Sequence, residues 1–228
     1  LFDGLLTRLQ LLRSGCVRNA EGLREAIGSA GSDPSYPATV LVCGKSNIAL
    51  TSPVDVSNKA FNLQCAGRMF SFLSTVCTID GLGATRIFSG ASASLTINGV
   101  NLVGGSVPAG DSIQHGGAIR LTNSTLRLRD AKFELNSAVE GGGGAIWMEQ
   151  GTLNIVSTVF ANNVASDGGA IALRNSVVGI TDSEFLSNQA VYGGAGIFAG
   201  GTISIESTTF FDNVSTTGVR LFLVSALS

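Results

Sequence analysis

Apolar and polar side chains alternate along most of this chain in short bursts, each broken by Gly, Ser, Asn or Asp. Gly141 to Ala190, GGGGAIWMEQGTLNIVSTVFANNVASDGGAIALRNSVVGITDSEFLSNQA, runs through the pattern twice. A template of apolar-x-apolar followed five residues later by Phe, Leu or another apolar residue recurs along the chain. It fits Val54/Val56/Phe61, Leu95/Ile97/Leu102, Leu126/Leu128/Phe133, Leu153/Ile155/Phe160, Val178/Ile180/Phe185 and Ile203/Ile205/Phe210. Successive anchors are 41, 31, 27, 25 and 25 residues apart. A second register leads each anchor by seven residues, at Phe88, Ile119, Ile146, Ile171 and Gly196, with Gly90, Leu121, Met148, Leu173 and Phe198 two further on. Asn136, Asn163, Asn188 and Asn213 each follow a late Phe by three.

Period-2 alternation means strands with every second side chain inside. Three such segments in about 25 residues make one coil of a solenoid, and sustained internal repetition points the same way. Glycine pairs and β-branched runs are poor helix material, which excludes a helical solenoid. The predicted fold is all-β: a right-handed, single-stranded parallel β-helix with an N-terminal helical cap. Coils about 4.8 Å apart superpose equivalent residues. Phe133, Phe160, Phe185 and Phe210 should therefore form one buried stack, and the asparagines a hydrogen-bonded ladder at a corner. Asn58, Gly99, Asp130, Ser157, Asp182 and Ser207, all turn formers, mark a second corner.

The ends read differently. Leu5, Leu9 and Leu12 recur at helical spacing, and Asn19 is a candidate N-cap for a helix burying Leu23 and Ile27. Residues 1–36 are read as a cap, 37–218 as about six coils, and 219–228 as the start of a further coil or a truncated C-terminal edge, with Leu221 and Leu223 inward. Such an edge calls for a further stretch of chain or another subunit to pair with it.

Composition narrows the classes. A net charge of −2 argues against nucleic acid as partner. No apolar run reaches the roughly 20 residues of a membrane helix, so membrane insertion is not expected. All four cysteines lie in the first third, which reads as the disulfides Cys16–Cys43 and Cys65–Cys77 and an extracellular or cell-surface location. No Cys/His spacing suggests a metal, and no cofactor motif is present. Asn123 opens a sequon on a turn; Asn213 opens another but belongs to the ladder.

The Gly-Gly-Ala-Ile motifs (Gly116–Ile119, Gly143–Ile146, Gly168–Ile171, degenerate at Gly193–Gly196), with Phe-x-x-Asn at Phe133/Asn136, Phe160/Asn163, Phe185/Asn188 and Phe210/Asn213, resemble the repeats of chlamydial polymorphic outer-membrane proteins. That resemblance spans about residues 116 to 218 and implies a β-helix of the pectin-lyase-like kind, secreted and engaged in adhesion.

Candidate chemistry is thin. Asp130 and Asp182 share a column two coils apart, about 9.6 Å, at the edge of the separation for inverting glycosidases. Lys132 and Glu184 lie beside them. His115, the sole histidine, precedes a glycine pair. Arg120 and Trp147 share an outward column, where an exposed Trp beside Arg could stack on a sugar, or the ring could sit under a loop. The leading expectation is a non-enzymatic structural or adhesive β-helix of the cell surface, part of a larger protein or assembly, with polysaccharide or another surface component as partner. The alternative is a carbohydrate-active β-helix: a binder, lyase, hydrolase or epimerase.

Overall fold

The computed structural model describes residues 15–66, 76–108, 110–216 and, as backbone, 222–224. Every strand pair among them is parallel, and they form a β-solenoid of about six turns. A representative coil runs Ile119–Thr122, Thr125–Arg129, Lys132–Glu134 and Ser137–Gly142. The coils Ile119–Gly142 and Ile146–Asp167 thus each hold four strand segments, where three per coil were expected. The first two belong to one wide sheet, and in the later coils they fuse into the single strands Ile171–Thr181 and Ile197–Glu206. The third and fourth segments build the two narrower sheets.

Left-handed residues make the corners. Gly99, Asp130, Ser157, Asp182 and Ser207 have φ of 68, 50, 49, 50 and 47°, the region favoured by Gly and tolerated by short polar side chains. Asn58 is left-handed too, but its N–H bonds to Ala91, which places it in the preceding corner with Ser92, Asn123, Gln150 and Asn175. The same slip affects the first anchor. Val54 pairs with Phe88, whereas Phe61 and Leu63 pair with Leu95 and Ile97. The apolar template fits either side of a corner, because the strands on both sides alternate; only backbone pairing tells them apart.

The glycine pairs have a steric cause. Gly116, Gly143 and Gly168 adopt φ of 69, 71 and 60°. A Cβ on the next residue of the later pairs would stand 2.2 Å from the Gly169 carbonyl oxygen at Gly144 and 2.3 Å from that of Ala195 at Gly169. The coils cross here too closely for any side chain. At the degenerate copy an extra residue, Gly196, enters the turn. Ile171 therefore pairs with Ile197 and Leu173 with Ala199, so Ile197 and Ala199 face inward rather than Gly196 and Phe198. A register shift between Arg174 and Ser176 restores the 25-residue step. Leu223 accordingly pairs with Ala199, not Phe198; Leu221 lies outside the described residues.

Two inward ladders dominate the interior. Phe133, Phe160, Phe185 and Phe210 stack with centroid separations of 5.0, 4.8 and 4.7 Å. Leu102, Ile79 and Ile48 continue that column towards the N-terminus. Phe133, Phe160 and Phe185 are fully buried, while Phe210, in the last complete coil, is half-buried. Beside them the Oδ1 of Asn163, Asn188 and Asn213 each accepts from the backbone N–H and Nδ2 of the asparagine one coil earlier, that of Asn136 accepts from the Gly105 N–H, and each Nδ2 also donates to a carbonyl of an earlier coil. This pairing satisfies polar groups that no water reaches.

The helix Ala20–Gly28 covers the N-terminal end, as the spacing predicted. Asn19 caps it by accepting from Gly22 N–H, and Leu23 and Ile27 are buried. Its C-terminal end lacks a local cation; the Lys59 ammonium, from the second coil, donates to the Gly28 and Ala30 carbonyls and meets the negative end of the dipole. The other predicted cap helix, with Leu5, Leu9 and Leu12, lies outside the described residues. Both expected disulfides are present, with Cα separations of 4.8 Å for Cys16–Cys43 and 5.6 Å for Cys65–Cys77. Cys16 precedes Val17, which forms a parallel bridge to Val42 and ties the cap segment to the first coil. Cys65→Ser with Cys77→Ser should lower stability by about 3 kcal/mol, since the chain-entropy gain of closing a short loop is lost. An unchanged urea midpoint would refute that contribution.

Candidate functional site

The sequence-nominated residues divide into two groups. Asp130 and Asp182 are exposed corner residues, and their left-handed backbone accounts for their identity without chemistry. Lys132 is held by Glu134 at 2.8 Å on its own strand, and Glu184 lies exposed two coils further along the same column. Asn123, also left-handed, is exposed, as a sequon acceptor requires; Asn213 is locked in the ladder.

His115, Arg120 and Trp147 do come together. The His115 ring stacks on Trp147 at 5.0 Å with planes 4° apart, and the Arg120 guanidinium lies 5.5 Å from the indole centroid. Trp147 is only 8% exposed, so it is not an open platform for a sugar. It sits under a loop, and its face is already taken by a ring and a cation. His115 Nδ1 accepts from the Gly142 N–H at 2.9 Å, which in the neutral ring leaves the proton on Nε2.

A residue absent from the sequence-level candidates organises this corner. Arg86 is 3% exposed. Its Nε donates to Gly116 O, its Nη2 to Ile113 O and His115 O, and its Nη1 pairs with Asp111 at 3.0 Å. One buried guanidinium thereby pins the loop that delivers His115 onto Trp147. Asp111 is held below the usual carboxylate range, first by the Ile113 N–H and then by Arg86 despite partial burial. The sequence signal was a lone arginine in a glycine-rich turn, GLGATRIF, which no periodicity singles out.

Outward from this corner, the wide sheet carries a concavity of about 420 Å³. Two outward columns form its floor: Asp55, Ser89 and Arg120 in one, and Ser57, Ala91 and Thr122 beside it. Arg86 and Asp111 form a wall. Asp55 Oδ1 accepts from Ser57 N and Oγ, and those bonds, before the Lys59 charge, hold its carboxyl below the ordinary value. Arg120 has no carboxylate within 4.0 Å among the described residues, and its Nε is buried without an acceptor. Among the described residues no group of three or more His, Cys, Asp or Glu is placed to hold a metal, and no helix is long and apolar enough to cross a membrane.

His115 should make stability pH-dependent. Burial, then the Arg120 and Arg86 charges, lower its pKa below 6.5, against the weaker pull of Glu149 and Asp167. The unfolded chain takes up a proton near pH 6.5 that the folded chain refuses. The stabilising difference is complete above that pH and is lost progressively as the pH falls from there through the lowered pKa of the folded chain. The urea midpoint should drop between pH 7.5 and 5.5 by more in the parent than in His115→Asn; parallel curves would remove His115 from the account.

Stacked Phe and Asn ladders, glycine-pair corners and an all-parallel register define a parallel β-helix assembled from short repeats. The Chlamydia polymorphic membrane protein repeat model matches residues 157–174, the span holding Phe160, Asn163 and Gly168–Ile171. The chain is thus a β-helix with repeats like those of polymorphic membrane proteins, and that family is one of outer-membrane or surface-exposed proteins. Neither a curated protein nor a solved structure matches the chain.

Proposed function

We propose that this chain is a stretch of a cell-surface β-helix whose role is structural and adhesive: a stiff stacked rod that presents its outer face to polysaccharide or another surface component. The observation that carries the reading is the continuity of the internal ladders, in a chain whose repeat matches that of a surface-protein family. Chemistry is invested in stacking coils, and the outward columns Arg127/Asn154/Gly179/Ser204 and Arg129/Val156/Thr181/Glu206 carry mixed side chains.

The test is retention against turnover. Beads bearing the purified chain should capture surface polysaccharide or intact cells and release them unmodified. Time-dependent release of reducing ends or unsaturated sugars, abolished by Asp130→Asn or Asp182→Asn, would replace this reading with the carbohydrate-active one.

A further inference from the structure

The concavity on the wide sheet has the layout of a ligand site. Asp55 and Arg120 occupy one outward column with Ser89 between them. Two rungs separate them, on the order of 10 Å between Cα positions. Ser57 and Thr122 flank the column with hydroxyls. At one end stands a guanidinium with no carboxylate partner among the described residues, oriented by stacking on Trp147, its Nε buried and without an acceptor. An arginine that lines the concavity and is held against an aromatic face matches a carboxylate in geometry and charge. At the other end Asp55 engages Ser57 through Oδ1, which leaves Oδ2 to accept from a hydroxyl. Arg86 and Asp111 neutralise each other in the wall, so they neither attract nor repel the ligand strongly. The volume, about 420 Å³, lies in the range of small-molecule sites.

We infer that this concavity binds a single sugar acid, a hexose-sized polyol bearing a carboxylate. Its carboxylate sits on the Arg120 guanidinium, and its hydroxyls donate to Asp55 and exchange hydrogen bonds with Ser57, Ser89 and Thr122. A bare carboxylate would use one end of the column, and a neutral hexose only the other. Binding here needs no bond broken and no metal. The site does not rest on the rod-like role proposed above: the titration reads it directly with a monosaccharide, whether or not beads capture polysaccharide or cells.

Trp147 is the sole tryptophan and touches Arg120, so its fluorescence reports on the site. The full chain is titrated with glucuronate, glucose and acetate at constant ionic strength, with calorimetry in parallel. The expected result is saturable glucuronate binding at least tenfold tighter than either comparison ligand. Arg120→Met should abolish it, Arg120→Lys should weaken it, and Asp55→Asn should weaken it several-fold, each with the parent's circular dichroism and urea midpoint. Absence of saturable binding in both readouts overturns the proposal. So does glucose or acetate binding as tightly as glucuronate, or glucuronate affinity unchanged in folded Arg120→Met.

Discussion

Replacing Phe160 by Ala should lower the free energy of unfolding by roughly 3–5 kcal/mol, among the largest effects available to one side chain here. Phe160 is fully buried and is stacked on both sides, against Phe133 at 5.0 Å and Phe185 at 4.8 Å. Truncation removes its transfer free energy, and the hole cannot collapse, because backbone pairing of Phe160 with Phe133 and Phe185 fixes the coil spacing. Both ring-to-ring contacts go as well, each worth about 0.5–1.5 kcal/mol beyond buried area. Phe210→Ala should cost distinctly less, since Phe210 is half-buried and stacks on Phe185 alone among the described residues. Urea unfolding of the two variants checks the order; equal losses would mean that the stack is not the unit of stability.

Asn163→Ala should be of comparable severity, on the order of 4 kcal/mol, for a different reason. Asn163 Oδ1 accepts from Asn136 N and Nδ2, and its Nδ2 donates to Phe133 O and Asn188 Oδ1. Alanine strands two buried donors on Asn136, at about 1–3 kcal/mol for each group left unmade. The spread of rungs makes the loss cooperative, because Asn136 and Asn188 then lose their orientation too. Asn163→Asp would not rescue, because it restores the acceptor but brings an unpaired charge into the interior. Amide exchange should show the Asn136 N–H losing protection first. A midpoint within error of the parent would mean that water replaces the rung.

The repeating interior could be read from the order of residues alone. Equivalent positions in a parallel coil stack on their own kind, so the aromatic and asparagine ladders and the glycine-pair corners appear in the chain as a period. The parallel fold, the Phe stack, the Asn19 cap and both disulfides were legible for that reason or from local chemistry. Where the period slips emerged from the pairing of coils in space. Val54 against Leu95, Asn58 against Gly99 and Gly196 against Ile197 are alternatives that patterning cannot separate, since strands on both sides of a corner alternate alike and one inserted residue reverses which side chain faces in. The Arg86 clamp and the burial of Trp147 were likewise decided in space. Both depend on how far a loop of irregular length reaches, and a loop's reach has no period to read.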